Sequence, residues 1–177
     1  MHLHLNINSY DMKHQILFVV VCCMLFMNDG YAQQEQDKLA VQKVIAQLFK
    51  GMQLGDSVMV HAVFAKEATG ATAFRDKENK PVLSIENSFA DFFKAIGSPH
   101  KETWYEEIWN LEIKIDDDLA QCWCQYAFYL DNKYSHCGVD AFYLHKEDSE
   151  WKIFYLVDTR RKDNCLIPQG IIDKHKE

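Results

Sequence analysis

The chain has 177 residues, 19 basic and 26 acidic side chains, a net charge of −7 and 48 % hydrophobic residues. That length holds one domain with a proper core and leaves too little for two. An acidic balance without a basic stripe argues against nucleic acid and against an anionic membrane surface, and Arg160-Arg161-Lys162 is too short a cluster to change that.

The front of the chain reads as a leader. Lys13 and His14 give a short basic start, Ile16–Met27 is an apolar run, and Gly30 and Ala32 fit the small-x-small cleavage rule. The run falls short of the about 20 apolar residues a membrane span needs. The expectation is therefore a signal peptide over residues 1–32, cut before Gln33, with residues 1–11 an upstream extension if Met12 is the true start. Cys22 and Cys23 lack the small residue wanted before a lipidated cysteine, which argues against a lipoprotein. The leader holds one basic and two acidic residues, so the remainder carries 18 against 24, a net charge near −6. The location this implies is periplasmic or secreted, with no membrane attachment after cleavage.

Beyond the leader, residues 36–54 carry Val41, Val44, Ile45, Leu48, Phe49 and Met52 at helical spacing. Gly55 suits a left-handed helix stop, and Asp56 a cap for a second short helix through Phe64. Thr69–Phe74 reads as a short strand before the polar turn of residues 75–81. Ser84 is placed as the cap of a third helix whose face is Ile85, Phe89, Phe92, Phe93 and Ile96, ended by Gly97-Ser98-Pro99.

From Trp104 onward the period changes to two. Tyr105, Trp109, Leu111, Ile113 and Ile115 alternate with Glu106, Asn110, Glu112 and Lys114, which predicts a strand with the first set buried and the second facing water. Three more strands follow, Ala120–Leu130, Ser135–His145 and Trp151–Thr159, separated by the polar turns 116–118, 131–133 and 147–149. Connections this short leave no room for crossover helices and predict an antiparallel meander. The predicted fold class is α+β, a cone of three N-terminal helices packed on a strongly curved, mainly antiparallel sheet. The domain is placed at 33–165, with 166–177 as a C-terminal tail.

Four cysteines remain after the leader. Cys122 and Cys124 point to one face of a strand and read as small core residues. Cys137 begins one strand and Cys165 follows the end of its neighbour, so antiparallel pairing brings them together; the readings are a Cys137–Cys165 disulfide or two free thiols.

The element order, the Gly55-Asp56 break leading to Val63-Phe64, and Trp151-Lys152-Ile153 after a polar turn resemble the nuclear-transport-factor-2-like superfamily. The stretches His136–Phe142 and Asp158–Arg161 are most similar to exported bacterial proteins of the SnoaL-like or "putative lumazine-binding" kind. The resemblance implies a pocket between sheet and helices. It implies, for the enzymes of the superfamily, a carboxylate or histidine base beside an oxyanion donor. The isomerases take that donor from a tyrosine on the first helix, where this chain offers Leu48, Phe49 and Met52.

The candidate ligand-binding residues are His136, Asp140, Asp158, Tyr126 and Phe142. His136 and Asp140 share strand parity about 13 Å apart, too far to touch but able to line one wall. Asp158 lies opposite Val139 if the Asp148-Ser149 turn is tight, and opposite Asp140 if one residue bulges; the two registers put it on different faces. His61 and His100 lack partners. Without HExxH, CxxC or a Gly-rich phosphate loop, no cofactor and no metal are expected. The functional expectation is an exported, non-catalytic binder of an unknown small molecule. The alternatives are a SnoaL-like lyase or isomerase using a His/Asp pair, and an interaction module whose cup is filled by Phe89, Phe92 and Phe93. Aromatics on both strand parities add the expectation of a homodimer packed through the outer sheet face.

Overall fold

A computed structural model describes residues 33–176. The expected signal peptide and the question of the start codon lie outside the described residues. Residues 38–177 form one compact unit, and the account below concerns it.

Helix α1 runs over residues 33–54 and buries Val41, Ile45, Leu48 and Met52, the stripe its spacing predicts. Gly55 stops it at φ +65°, where a Cβ would be strained. Asp56 then caps α2 (Ser57–His61), its Oδ1 accepting from Met59 N at 2.9 Å.

Strands β1 (Phe64–Arg75) and β2 (Pro81–Glu86) follow, then α3 (Ala90–Gly97), β3 (Trp104–Asp116), β4 (Leu119–Leu130), β5 (Lys133–Glu147), β6 (Glu150–Arg160) and α4 (Gln169–Lys174). The six strands form one sheet in the order β2-β1-β6-β5-β4-β3. All neighbours are antiparallel except β1 and β6. The fold is α+β, as the sequence predicts.

Two sequence expectations need correction. Ser84 does not cap a helix: Ser84 and Ile85 lie in β2, which returns along β1 after the 76–80 turn. That turn is closed by the Asp76 carboxylate, which accepts from Glu78 N and Lys80 N, with Asn79 at φ +61°. A tight Asx turn after a strand makes a hairpin, and Ile85 is left exposed on its edge strand. Helix α3 starts later, where Ser88 Oγ accepts from Ala90 N at 3.1 Å.

The second correction concerns β3. Asn110 sits at φ +51°, and the pairing shifts between Trp109↔Gln125 and Glu112↔Trp123, so two residues of β3 oppose one of β4. This bulge switches the side-chain parity. Trp104 and Ile108 join Leu111, Ile113 and Ile115 on the helix side, while Tyr105 and Trp109 turn to the outer face. Glu106, expected in water, faces inward with them.

The residues read as a tail cover that outer face. Ile167 and Ile171 pack on Ala127, Tyr129 and Cys137, and His175 stacks on Tyr129 with ring centres 3.9 Å apart. A disulfide joins Cys137 to Cys165, Cα atoms 5.9 Å apart, and so ties this segment to the start of β5. Cys122 and Cys124 are unbridged and fully buried.

Candidate functional site

The helix side of the sheet encloses a cavity of about 450 Å³. Helix α1 supplies Leu48, Phe49 and Met52 to one wall, and Phe89 and Phe92 of the α3 region face it from another. These phenylalanines pack edge-on or tilted against each other and Phe64, and the cavity beside them stays open.

The floor is polar and depends on register. The β5–β6 turn is a two-residue hairpin, Asp148 and Ser149 both at positive φ, between the paired Glu147 and Glu150. A bulge at Phe154 then shifts the ladder by one, and Asp158 comes to lie directly across from Asp140. Of the two registers the sequence leaves open, the structure adopts the bulged one. Asp140, Asp158, His136, Tyr126 and Phe142 all line the cavity. The structure also brings in Glu106, which alternation placed on the water side, and Arg160, the strand-end partner of Asp158.

Asp158 is well supplied with partners. Thr72 Oγ1 donates to its Oδ1, and Arg160 Nε donates to its Oδ2 at 2.7 Å. Tyr126 OH donates to the Thr159 carbonyl at 2.9 Å, with Asp158 Oδ2 at 3.3 Å. Gly138, paired with Tyr126, makes this seat possible: a Cβ there would overlap the Thr159 oxygen and lie 2.7 Å from the tyrosine ring. Burial and the nearby carboxylates push the Tyr126 phenol far above its ordinary value.

Asp140 is different. It is 3 % exposed, and among the described residues no donor reaches its Oδ2. Glu106 is its neighbour within hydrogen-bonding reach, but two carboxylates can bond only through a proton carried by one of them. Burial first, then the charges of Glu106 and Asp158, raise Asp140 well above the usual carboxylate range. Burial also pushes Glu106 up to about 7, partly offset by the hydrogen bond with Asp140. One proton is thus held between the two at neutral pH.

His136 packs edge-on to Tyr126 and tilted against Phe128, and Ser135 Oγ lies 3.0 Å from its Nδ1. Burial, helped by Arg160, lowers it to about 4, so the imidazole is neutral at physiological pH. His61 packs on Phe93 and His100 stacks on Trp104, both outside the cavity lining. Glu106 was missed because strict alternation placed it on the water side; Asn110, a residue that tolerates positive φ, was the available signal for the bulge that reverses it.

A single sheet with α1 and α3 across one face and a cavity between them is the fold of the nuclear-transport-factor-2-like class. Within it, the chain belongs to the family described as "Putative lumazine-binding", whose profile it matches over residues 36–155. Solved structures share the fold at low identity. One is a nuclear-transport-factor-2-like protein of unknown function from Shewanella baltica, with TM-score 0.52 and 18 % identity over 72 % of this chain and 96 % of that one. Another is titled a putative scytalone dehydratase, from Novosphingobium aromaticivorans, with TM-score 0.58 and 11 % identity over 76 % and 91 %. A third is titled a putative dehydratase, from Streptomyces avermitilis, with TM-score 0.53 and 9 % identity over 73 % and 99 %. No curated protein matches the sequence.

Proposed function

We propose that this domain binds a small, partly aromatic molecule in the cavity without transforming it. The observation that carries the reading is a largely apolar cavity of about 450 Å³ with the Asp140 carboxyl in its lining, whose buried Oδ2 has no donor among the described residues. Such an atom is costly unless a ligand completes it, and a cavity of this size suits a drug-sized molecule. The family description points to lumazine, and a two-ring compound fits the volume, though no residue demands a pteridine. Against catalysis stands the lack of a tyrosine on the cavity face of the first helix, the oxyanion donor of the superfamily's isomerases. The first helix offers Leu48, Phe49 and Met52 to the cavity, and the hydroxyls of Tyr126 and Thr72 are already engaged.

A lyase reading keeps one supporting observation. Glu106, at about 7, is tuned where a general acid or base works best. Two structural neighbours carry dehydratase titles, which say nothing yet of this chain.

Native mass spectrometry of protein from its own host should find a co-purified small molecule. With that ligand, Asp140→Asn should weaken binding by about ten- to a hundredfold, the loss of one charged hydrogen bond. A variant that binds as tightly as wild type while turnover falls would instead establish the lyase.

Export through the residue 1–32 leader and a homodimer through the outer sheet face complete the proposal. Supporting the second, Trp123 stays 45 % exposed on the part of that face α4 does not reach. The secreted protein should begin at Gln33 and scatter light as a dimer at micromolar concentration. A start at Met1 or Met12, or a monomer mass, would remove the corresponding half.

A further inference from the structure

We infer that the cavity selects for positively charged nitrogen: its preferred ligand carries an amidine- or amine-type cation on an aromatic body, and that cation docks against the Glu106–Asp140 pair. The inference rests on the binding reading above and names the ligand class for the same site.

Charge balance around the cavity is the first argument. Five acidic residues line it, Glu86 and Asp91 exposed at the mouth and Glu106, Asp140 and Asp158 deeper in, against one guanidinium, Arg160. That guanidinium is engaged through its Nε, bonded to Asp158 at 2.7 Å. Among the described residues no cation bonds the Glu106–Asp140 pair, and Arg160 acts on it only at longer range. An acidic entrance with low-dielectric walls concentrates cations and repels anions.

Hydrogen-bond supply is the second argument. Around Glu106 and Asp140 the floor is rich in acceptors, and its two hydroxyl donors are engaged elsewhere. The Tyr126 hydroxyl goes to the Thr159 carbonyl, and the Thr72 hydroxyl goes to Asp158. Asp140 Oδ2, buried in the floor, has no donor among the described residues. A carboxylate ligand would add a third acceptor to this pair, whereas an amidinium supplies planar N–H donors together with charge. The aromatic body has its seat between the α1 side chains and the phenylalanines of the α3 region, with Phe142 on the sheet side.

Binding should also release a proton. The titratable groups facing the pair are Cys124 and Tyr126 from β4, His136 from β5, and Asp158 and Arg160 from β6. Thr72 of β1 is neutral, α1 presents only apolar side chains, and Glu86 and Asp91 stand at the mouth. Cys124, Tyr126 and His136 are held uncharged near neutrality and Asp158 is paired with Arg160. The proton shared by Glu106 and Asp140 is then the one a cation expels.

Three two-ring probes of one shape test this: 2-naphthamidine, 2-naphthamide and 2-naphthoate, titrated calorimetrically into the full chain. The amidine should bind at least about tenfold tighter than the amide, one charged hydrogen bond's worth, and the naphthoate should not bind. Amidine binding at pH 7 should release a proton, seen as heat that varies with buffer ionisation enthalpy. Glu106→Gln and Asp140→Asn should each collapse the amidine-to-amide ratio while retaining amide binding, which also shows that the variants fold. Equal binding of all three probes, tighter naphthoate binding, or an unchanged ratio in both variants overturns the charge selection and leaves the pocket reading standing. Binding of none of the three would overturn both.

Discussion

Glu106 and Glu107 are adjacent on β3, face opposite sides of the sheet, and meet opposite fates. On the outer side Glu107, 17 % exposed, accepts from Lys174 Nζ at 2.5 Å and lies 3.0 Å from His175 Nε2. Burial works against its charge, yet the bonds from Lys174 and His175 outweigh it and hold the carboxyl below its ordinary value. On the inner side Glu106 has a second carboxyl for a neighbour and is pushed up to about 7. The difference separates a structural charge from a functional one. A paired carboxylate completes the packing of α4 on the sheet. An unpaired one keeps its desolvation cost unless something outside the chain relieves it.

The outer face is also the covalently secured one, and breaking that tie should give the largest effect. The Cys137–Cys165 disulfide spans a sequence separation of 28. In the chain-entropy description a loop of that length contributes about 3–4 kcal/mol, which at about 2–4 °C per kcal/mol is roughly 10 °C of melting temperature. Cys165→Ala should lose that amount. Reducing agent should lower the melting temperature of wild type and leave the variant unchanged. The cavity side lies on the opposite face, so ligand affinity should survive the substitution; a large loss of affinity would show that the two faces are not independent.

The two faces were not equally legible in the sequence. Helix α1, the Gly55-Asp56 break and the four-strand meander follow from local spacing and turn chemistry, which the chain states residue by residue. The cavity wall residues His136, Asp140 and Phe142 share one parity on β5 and were readable as a set. What alternation cannot carry is a change of parity. The bulge at Asn110 brought Glu106 inside, and the bulge at Phe154 decided that Asp158 meets Asp140. Each depends on how two strands fit together, a tertiary matter that one strand's pattern does not encode. The cover over Tyr105 and Trp109 was equally hidden, because Gln169–Lys174 is too short to announce a helix by periodicity.

A matched pair of substitutions gives the smallest but sharpest test of the comparison. Glu106 has its folded pKa raised above the ordinary 4.5, so its contribution is fully present below about pH 4.5 and is lost as pH rises through about 7. Glu107 has its folded pKa lowered, so its contribution is present above the ordinary value of 4.5 and is lost as pH falls through the folded value. His136, lowered to about 4, adds a slope of Glu107's sign between about 4 and 6.5. That slope is common to wild type and both variants and cancels in differences between them. At pH 8 Glu106→Gln should therefore raise stability by about 1 kcal/mol, with the gain fading towards pH 5. Glu107→Gln should cost about 1 kcal/mol at pH 8, modest because Lys174 stays largely in water, with the loss shrinking towards pH 4. Urea unfolding at several pH values reads both differences directly. If the two differences carried the same sign at pH 8, the contrast drawn between the faces would be wrong.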